Sequence, residues 1–343
     1  MNQLLNTLYV TTQGAYLHLD HDTLLVEVER ETKLRVPLLH LGAVVCFGDV
    51  RLSPALLHRC AEDGRSVVLL DRHGRFKARV EGPLSGNVLL RRAQHEALSS
   101  PDQTLEIARS CVAGKLQNSR QVLLRAAREA PDAADGGVLS AAATRLAGLI
   151  DAVRQAGTVE EVRGCEGDAA RTYFGVFDRA VRVERAAFRL TGRSRRPPIG
   201  RTNALLSFLY TLLTADCAAA AQGIGLDPQV GYLHALRPGR PALALDLMEE
   251  LRPALVDRLA LTLINRRQLK PGDFVERPGG ATLLTDDGRR TVLVAYQKRK
   301  QEEVPHRVLG KKVPLGLVPH VQARLLARHL RGDLEHYPPF LIR

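Results

Sequence analysis

The sequence has no tryptophan, and aromatic residues make up only 4% of its 343 positions. That scarcity argues against a base-stacking platform for single-stranded nucleic acid, which needs successive exposed rings. Five cysteines, at 46, 60, 111, 165 and 217, are scattered and odd in number. None forms a CxxC pair, so neither a zinc knuckle nor a disulfide framework is expected. Their plain reading is reduced thiols in the core. No apolar run approaches the ~20 residues that cross a bilayer. The start MNQLLNTLYVTTQG lacks the basic, apolar and small-residue succession of a signal peptide. The expectation is a cytoplasmic protein with no membrane partner. Also missing are the GxxxxGK phosphate loop, GxGxxG after a strand, HExxH and GxSxG. P-loop nucleotide hydrolysis, dinucleotide redox chemistry and zincin-type proteolysis therefore lose support.

What is present in excess is positive charge. Lysine and arginine number 49 against 37 acids, a formal net charge of +12. Such an excess favours polyanionic partners, because each Lys or Arg that neutralises a phosphate releases a condensed counterion. A solvated basic surface is the plainer alternative. Arginine dominates the basic count, and its planar guanidinium suits bidentate phosphate recognition.

The pattern along the chain changes once. Short, partly alternating runs at Leu4–Thr11, Ala15–Asp20, Leu24–Glu29, Lys33–Pro37, Val44–Phe47 and Val67–Leu70 read as strands. One helix interrupts them, with Ser53 as N-cap and Pro54 at N1. Residues 83–87 read as a linker. Beyond it, helical spacing runs through Val88–Leu98, Leu105–Ala130, Val138–Gln155 and Val159–Leu190. APDAADGG at 130–137 reads as a break. Asn203–Gln222 is apolar enough for a buried central helix. Leu243–Leu269 is helical with a kink or break at Pro253. A small β-hairpin is expected near 281–296, turning at Asp287-Gly288, and a last helix over Pro319–Arg331. The predicted class is α+β: a β-rich domain over residues 1–82, then an α-helical domain over 88–343.

Two segments hold candidate chemistry. In GCEGDAARTYF, Glu166 shares a helix face with Ala169, Ala170 and Tyr173, at the helix's N-terminal end. A carboxylate that faces a core must be paired or bind a metal; a glutamate that offsets the helix dipole is the plainer reading. In GLDPQVGYLHALRPGRPALALDLMEELRP, His234 precedes a loop with Arg237 and Arg240, and Asp246 and Glu249 follow at i and i+3 on a helix. Alone, His234 reads as a structural histidine, and the two acids read equally as an exposed acidic face. Together, carboxylates and one imidazole without a thiolate suit Mg²⁺ or Mn²⁺. A hard cation among arginines is what phosphodiester chemistry needs. Arg189, Arg193, Arg195, Arg196 and Arg201 form an acid-free basic stretch, and Lys298, Arg299, Lys300, Arg307, Lys311 and Lys312 form a second, both read as phosphate contacts.

The combination of GCEGDAARTYFGVF, RRPPIGRTNALLSFLYTLL, GLDPQVGYLHALRPGRPALALDLMEELRP and QARLLARHLRGDL, with AGKLQNSR at 113–120, closely resembles the CRISPR-associated integrases of spacer acquisition, the Cas1 family, and within it the type I-C subgroup. The resemblance runs over nearly the whole chain. It implies a β-rich dimerisation domain and an all-α catalytic domain with metal ligands at Glu166, His234 and Glu249. Many family members carry Asp at the third position, so the longer Glu249 departs from that version of the pattern. Asp246 matches a further acidic position of the family site, as an auxiliary ligand or a neighbour. Lys115, Asn118, Arg195, Arg196 and Asn203 match recurrent family positions, and for the two Asn residues structural hydrogen bonding is as open a reading as DNA contact. With Lys115, Asn118, Arg193, Arg195, Arg196, Arg201, Arg237 and Arg240 as nucleic-acid contacts, the implied protein is a homodimer. It would act with the Cas2 protein and insert a short DNA duplex into a CRISPR array by 3′-hydroxyl transesterification. A metal-dependent nuclease for branched DNA, and a DNA-binding scaffold without catalysis, are the alternatives.

Overall fold

Alternation of apolar residues shapes the first eighty residues. In the computed structural model, which describes residues 6–80, 82, 88–194 and 197–342, these form eight strands and one helix: β1 (Asn6–Val10), β2 (Ala15–Asp20), β3 (Thr23–Val28), β4 (Glu31–Pro37), β5 (Leu41–Phe47), β6 (Val50–Leu52), α1 (Pro54–Glu62), β7 (Ser66–Leu70) and β8 (Phe76–Val80). Ser53 caps α1 by accepting from the Leu56 N–H. One sheet has the order β1-β5-β7-β8, with β1, β5 and β7 parallel and β8 antiparallel; the other has the order β4-β3-β2-β6.

Strand β5 shows how this unit joins the rest. Its Val44 and Cys46 enter the core between the sheets and α1, with Leu17, Leu24, Leu56 and Val67. Its Val45 and Phe47 point the other way and pack with the helices, Phe47 lying 6.0 Å from the Phe208 ring. A strand apolar on both faces is a strand buried on both faces.

The helical part comprises α2 (Val88–Ser99), α3 (Pro101–Arg128), α4 (Ala133–Gln155), α5 (Val159–Gly175), α6 (Arg201–Ile224), α7 (Ala242–Glu249) and α8 (Arg258–Asn265). Then come β9 (Phe274–Glu276), β10 (Thr282–Leu284), α9 (Asp286–Gln301), β11 (Glu303–His306), β12 (Lys311–Pro314) and α10 (Val318–Leu330). The α+β class is as expected. The linker assigned to 83–87 lies outside the described residues.

Several elements differ from expectation. The hairpin is not at 281–296: β10 pairs with the preceding β9, and Asp287-Gly288 lies in the first turn of α9. Thr285 caps that turn by accepting from the Gly288 N–H at 3.1 Å. Glycine is needed there for space, since a Cβ would stand 2.6 Å from the Asp273 carbonyl oxygen. Residues 133–137 are not a break either, because the Asp132 side chain accepts from the Ala134 N–H and starts α4. The stretch from Val159 ends as a helix at Gly175 rather than Leu190. At Pro253 the helix is not cut but widened into a π-type turn over Arg252–Asp257, which accommodates the missing N–H. Finally, α4 and α6 are long and apolar enough to cross a membrane, contrary to the reading of the sequence. For α6 the reason is that two thirds of its apolar window is buried inside the protein.

Candidate active site

The chain between α6 and α7 makes a tight loop whose backbone N–H groups converge. Asp246, on the buried face of α7, accepts from the N–H groups of Tyr232 (2.6 Å), Leu233 (3.0 Å) and His234 (3.0 Å). The same carboxylate meets His234 Nδ1 at 2.7 Å. An ionised carboxylate only accepts, so Nδ1 carries a proton, and Nε2 is the ring nitrogen left free to offer a lone pair to a ligand. Gly231 permits the approach: a Cβ there would lie 2.6 Å from both Asp246 Oδ2 and the Ala242 carbonyl carbon. Arg163, one turn before Glu166 on α5, donates to the Leu233 carbonyl at 2.7 Å and ties the loop to that helix.

Glu249, one turn after Asp246, is 1% exposed. His234 Nε2 faces its Oε1 at 3.7 Å. The Lys115 ammonium on α3 lies 2.6 Å from Glu249 Oε2 and 2.5 Å from Glu166 Oε1, bridging the two carboxylates. Arg252 reaches Glu249 Oε1 at 3.1 Å and rests over the Tyr210 ring at 4.9 Å. Burial pushes the Glu249 carboxyl up, but Arg252, Lys115 and His234 together outweigh it and hold it at about 2. It is therefore ionised throughout the physiological range.

His234 Nε2 thus faces one oxygen of Glu249, and Lys115 links the other to Glu166. Both Glu249 oxygens are buried without a hydrogen bond of good geometry, and their contacts are ionic. Two oxygen donors and one imidazole, without a thiolate, fit a hard divalent cation. Among the described residues no set of three acidic, His or Cys side chains is already closed to metal-binding distance; the Lys115 ammonium lies between the carboxylates instead. Glu166 is in the third turn after the N-cap Thr158, and Glu160 and Glu161 occupy the first turn. The dipole reading of Glu166 fails, because that effect fades beyond the first turn. Asp246 and Glu249 are both 1% exposed, so they are not a solvated acidic face.

Behind α7 lies a second buried acid. Glu250 accepts from Tyr337 Oη (2.8 Å), Gln322 Nε2 (2.9 Å) and the Phe340 N–H (2.6 Å). Asn118 donates to the Glu250 and Phe340 carbonyls and accepts from the Ile342 N–H. The segment 337–342 is thereby strapped across α3, and Pro339 sits so close that a Cβ on Gly114 would be 2.6 Å from it.

The expected nucleic-acid contacts divide. Asn118 is fully buried in the strap and is not presented to a ligand. Arg193 turns inward, stacked 5.3 Å from Phe174 and 5.4 Å from Tyr210 and donating to Asn203. Arg201 donates to the Ala187 carbonyl at 3.1 Å. Asn118, Arg193 and Arg201, expected as nucleic-acid contacts, are thus seen holding partners within the protein. Arg195 and Arg196 lie outside the described residues. Arg237 is exposed on the loop after His234, and Arg240 is half-buried beside it, 3.5 Å from the Ala235 carbonyl. Arg252 was not anticipated; its place at i+3 from Glu249 was the available signal.

The model of the CRISPR-associated protein Cas1 family matches residues 8–298. A CRISPR-associated endonuclease Cas1 of Moorella thermoacetica is 61% identical over all of both chains. Among solved structures, a Cas1 protein from Thermotoga maritima superposes with a TM-score of 0.82 at 27% identity, over 95% of this chain and 97% of that one. A chain of a Cas6-RT-Cas1–Cas2 complex also gives 0.82 at 25% identity, over the whole of this chain and 36% of that one.

Proposed function

The chain belongs to the family of the CRISPR-associated protein Cas1, and on that premise we propose that it is a DNA integrase/endonuclease of CRISPR adaptation, dependent on Mg²⁺ or Mn²⁺. The observation that carries this is an ionised, buried Glu249 with His234 Nε2 facing one of its oxygens and Lys115 linking the other to Glu166. In this reading the protein is cytoplasmic and of the type I-C kind. It forms a homodimer through the β-rich domain and acts with Cas2, as the relative in the Cas1–Cas2 complex does. The 3′-hydroxyl of a short duplex attacks a phosphodiester of the repeat, one P–O bond forming as another breaks. The exchange needs no nucleotide, in keeping with the absent phosphate loop.

Glu166, Glu249 and His234 would hold the cation, which supplies Lewis acidity toward the phosphodiester and toward the attacking hydroxyl. Asp246 does not ligate: its oxygens are taken by the loop N–H groups and by Nδ1, so it orients His234 and fixes its tautomer. Arg252 keeps Glu249 charged. Lys115, released from between the carboxylates when the site is loaded, is placed to meet the charge that develops on the phosphate. Arg237, exposed beside His234, binds the flanking backbone.

The test is strand transfer with purified protein and Cas2, a 3′-hydroxyl duplex and a repeat-bearing plasmid. Joined product should require Mg²⁺ or Mn²⁺ and vanish with Glu166→Ala. Metal-dependent shortening without joining would replace the integrase with a nuclease. Unchanged joining in the variant would remove Glu166 from the site.

A further inference from the structure

A cleft of about 210 Å³ opens at the C-terminal end of α3, lined by Gln121, Arg125, Arg128, Glu129, Arg258 and Ile342. Glu129 is the one acid among these, and its carboxylate is already shared between Arg125 (2.8 Å) and Arg182 (3.4 Å). Arg125 and Arg128 belong to the last turn of α3, where cations also offset the helix dipole. Arg258 has no such role. It is the first residue of α8, directly after the π-type turn, and is half-buried; its guanidinium makes neither a hydrogen bond nor an ion pair among the described residues. Burial, then the neighbouring charges of Arg299 and Arg125, push its guanidinium down to about 10, against a smaller pull from Glu302 and Glu129. A half-buried cation crowded by other cations is unfavourable until an anion joins it.

We propose that this cleft is a second anion site, in which Arg125, Arg128 and Arg258 hold one phosphate group. Three planar forks around a small cleft suit the tetrahedral, multiply charged oxygens of phosphate better than a carboxylate, which Glu129 already supplies. Arg125 is ten residues from Lys115 along α3, about 15 Å at the helical rise. A nucleic-acid strand covers that distance in about four nucleotides at ~3.4 Å each. The phosphate is therefore assigned to the backbone of the DNA whose reacting phosphodiester lies at Glu249. That source rests on the proposed function; the anion site does not.

The test compares wild type with Arg258→Met, which keeps the side-chain bulk, and with the exposed Arg128→Met in case the first fails to fold. A DNA duplex is titrated across a salt series, and inorganic phosphate and Mn²⁺ are titrated by calorimetry without DNA. Expected are DNA affinity about tenfold lower in 150 mM salt, a salt slope shallower by about one, and unchanged Mn²⁺ affinity. Phosphate binding lost from the variants while DNA binding stays intact would keep the site and reassign it to a free anion. Unchanged affinity for both ligands would overturn the site. If the wild type shows the expected DNA and salt behaviour yet joins no strands, the proposed function fails and the cleft stands.

Discussion

Glu249 and Glu250 are neighbours in sequence, both buried, and chemically identical, yet the two sides of α7 treat them in opposite ways. On one side Glu249 meets two cations and an imidazole and stays ionised, with its pKa held at about 2. On the other, burial lifts Glu250 to about 7 against the pull of the Tyr337, Phe340 and Gln322 donors. Glu249 is balanced by charge, with neither oxygen satisfied by a well-formed hydrogen bond. Glu250 is satisfied by neutral donors on a strap from the far end of the chain. The first arrangement is poised to exchange its partners for a ligand; the second is a fastening. A buried acid is thus informative about function only through what compensates it.

The sharpest way to break this comparison is to neutralise each acid in turn. Glu249→Gln should lower strand joining about a thousandfold, the loss of several kcal/mol of transition-state stabilisation. Glu250→Gln should cost less than about tenfold and act mainly through the melting temperature. Equal losses of joining from both would erase the distinction. Next in size is Asp246→Asn, which leaves one acceptor oxygen for three N–H groups and an imidazole. Mn²⁺ affinity measured by calorimetry should fall about 10- to 100-fold; an unchanged value would mean that His234 is not held for a metal. An effect on stability rather than on activity concerns Asp257, which accepts from Tyr210 (2.6 Å) and Tyr173 (3.0 Å). Burial raises its pKa from the ordinary 3.8 to about 6. Its contribution to stability is then fully present below pH ~3.8 and lost as pH rises through 6, a difference on the order of 3 kcal/mol. Asp257→Asn should remove that part of the pH dependence in denaturant unfolding between pH 4 and 7.

Much of this was legible along the chain. The strand-to-helix change, the Ser53 cap and the apolar α6 follow from local patterns, whereas the grouping of Glu166, His234 and Glu249 came from the family resemblance. What could not be read along the chain were partners remote in sequence. Asn118 bonds to residues more than a hundred positions away, and Arg193 to two rings on different helices. The Asp287-Gly288 pair has the composition of a hairpin turn, and only the nearby Asp273 carbonyl shows why glycine stands there.

The sequence by itself determined the candidate donor types, the basic character and the order of strands and helices, because these depend on residue identity and short-range period. Tertiary structure alone decided that Asp246 accepts from three loop N–H groups and meets His234 Nδ1, that Lys115 bridges Glu166 to Glu249, and that the Arg258 guanidinium has no ion pair among the described residues. Those facts depend on distances between segments brought together only by packing. A charged group's role is set by its nearest compensating charge, and here that charge usually comes from another element.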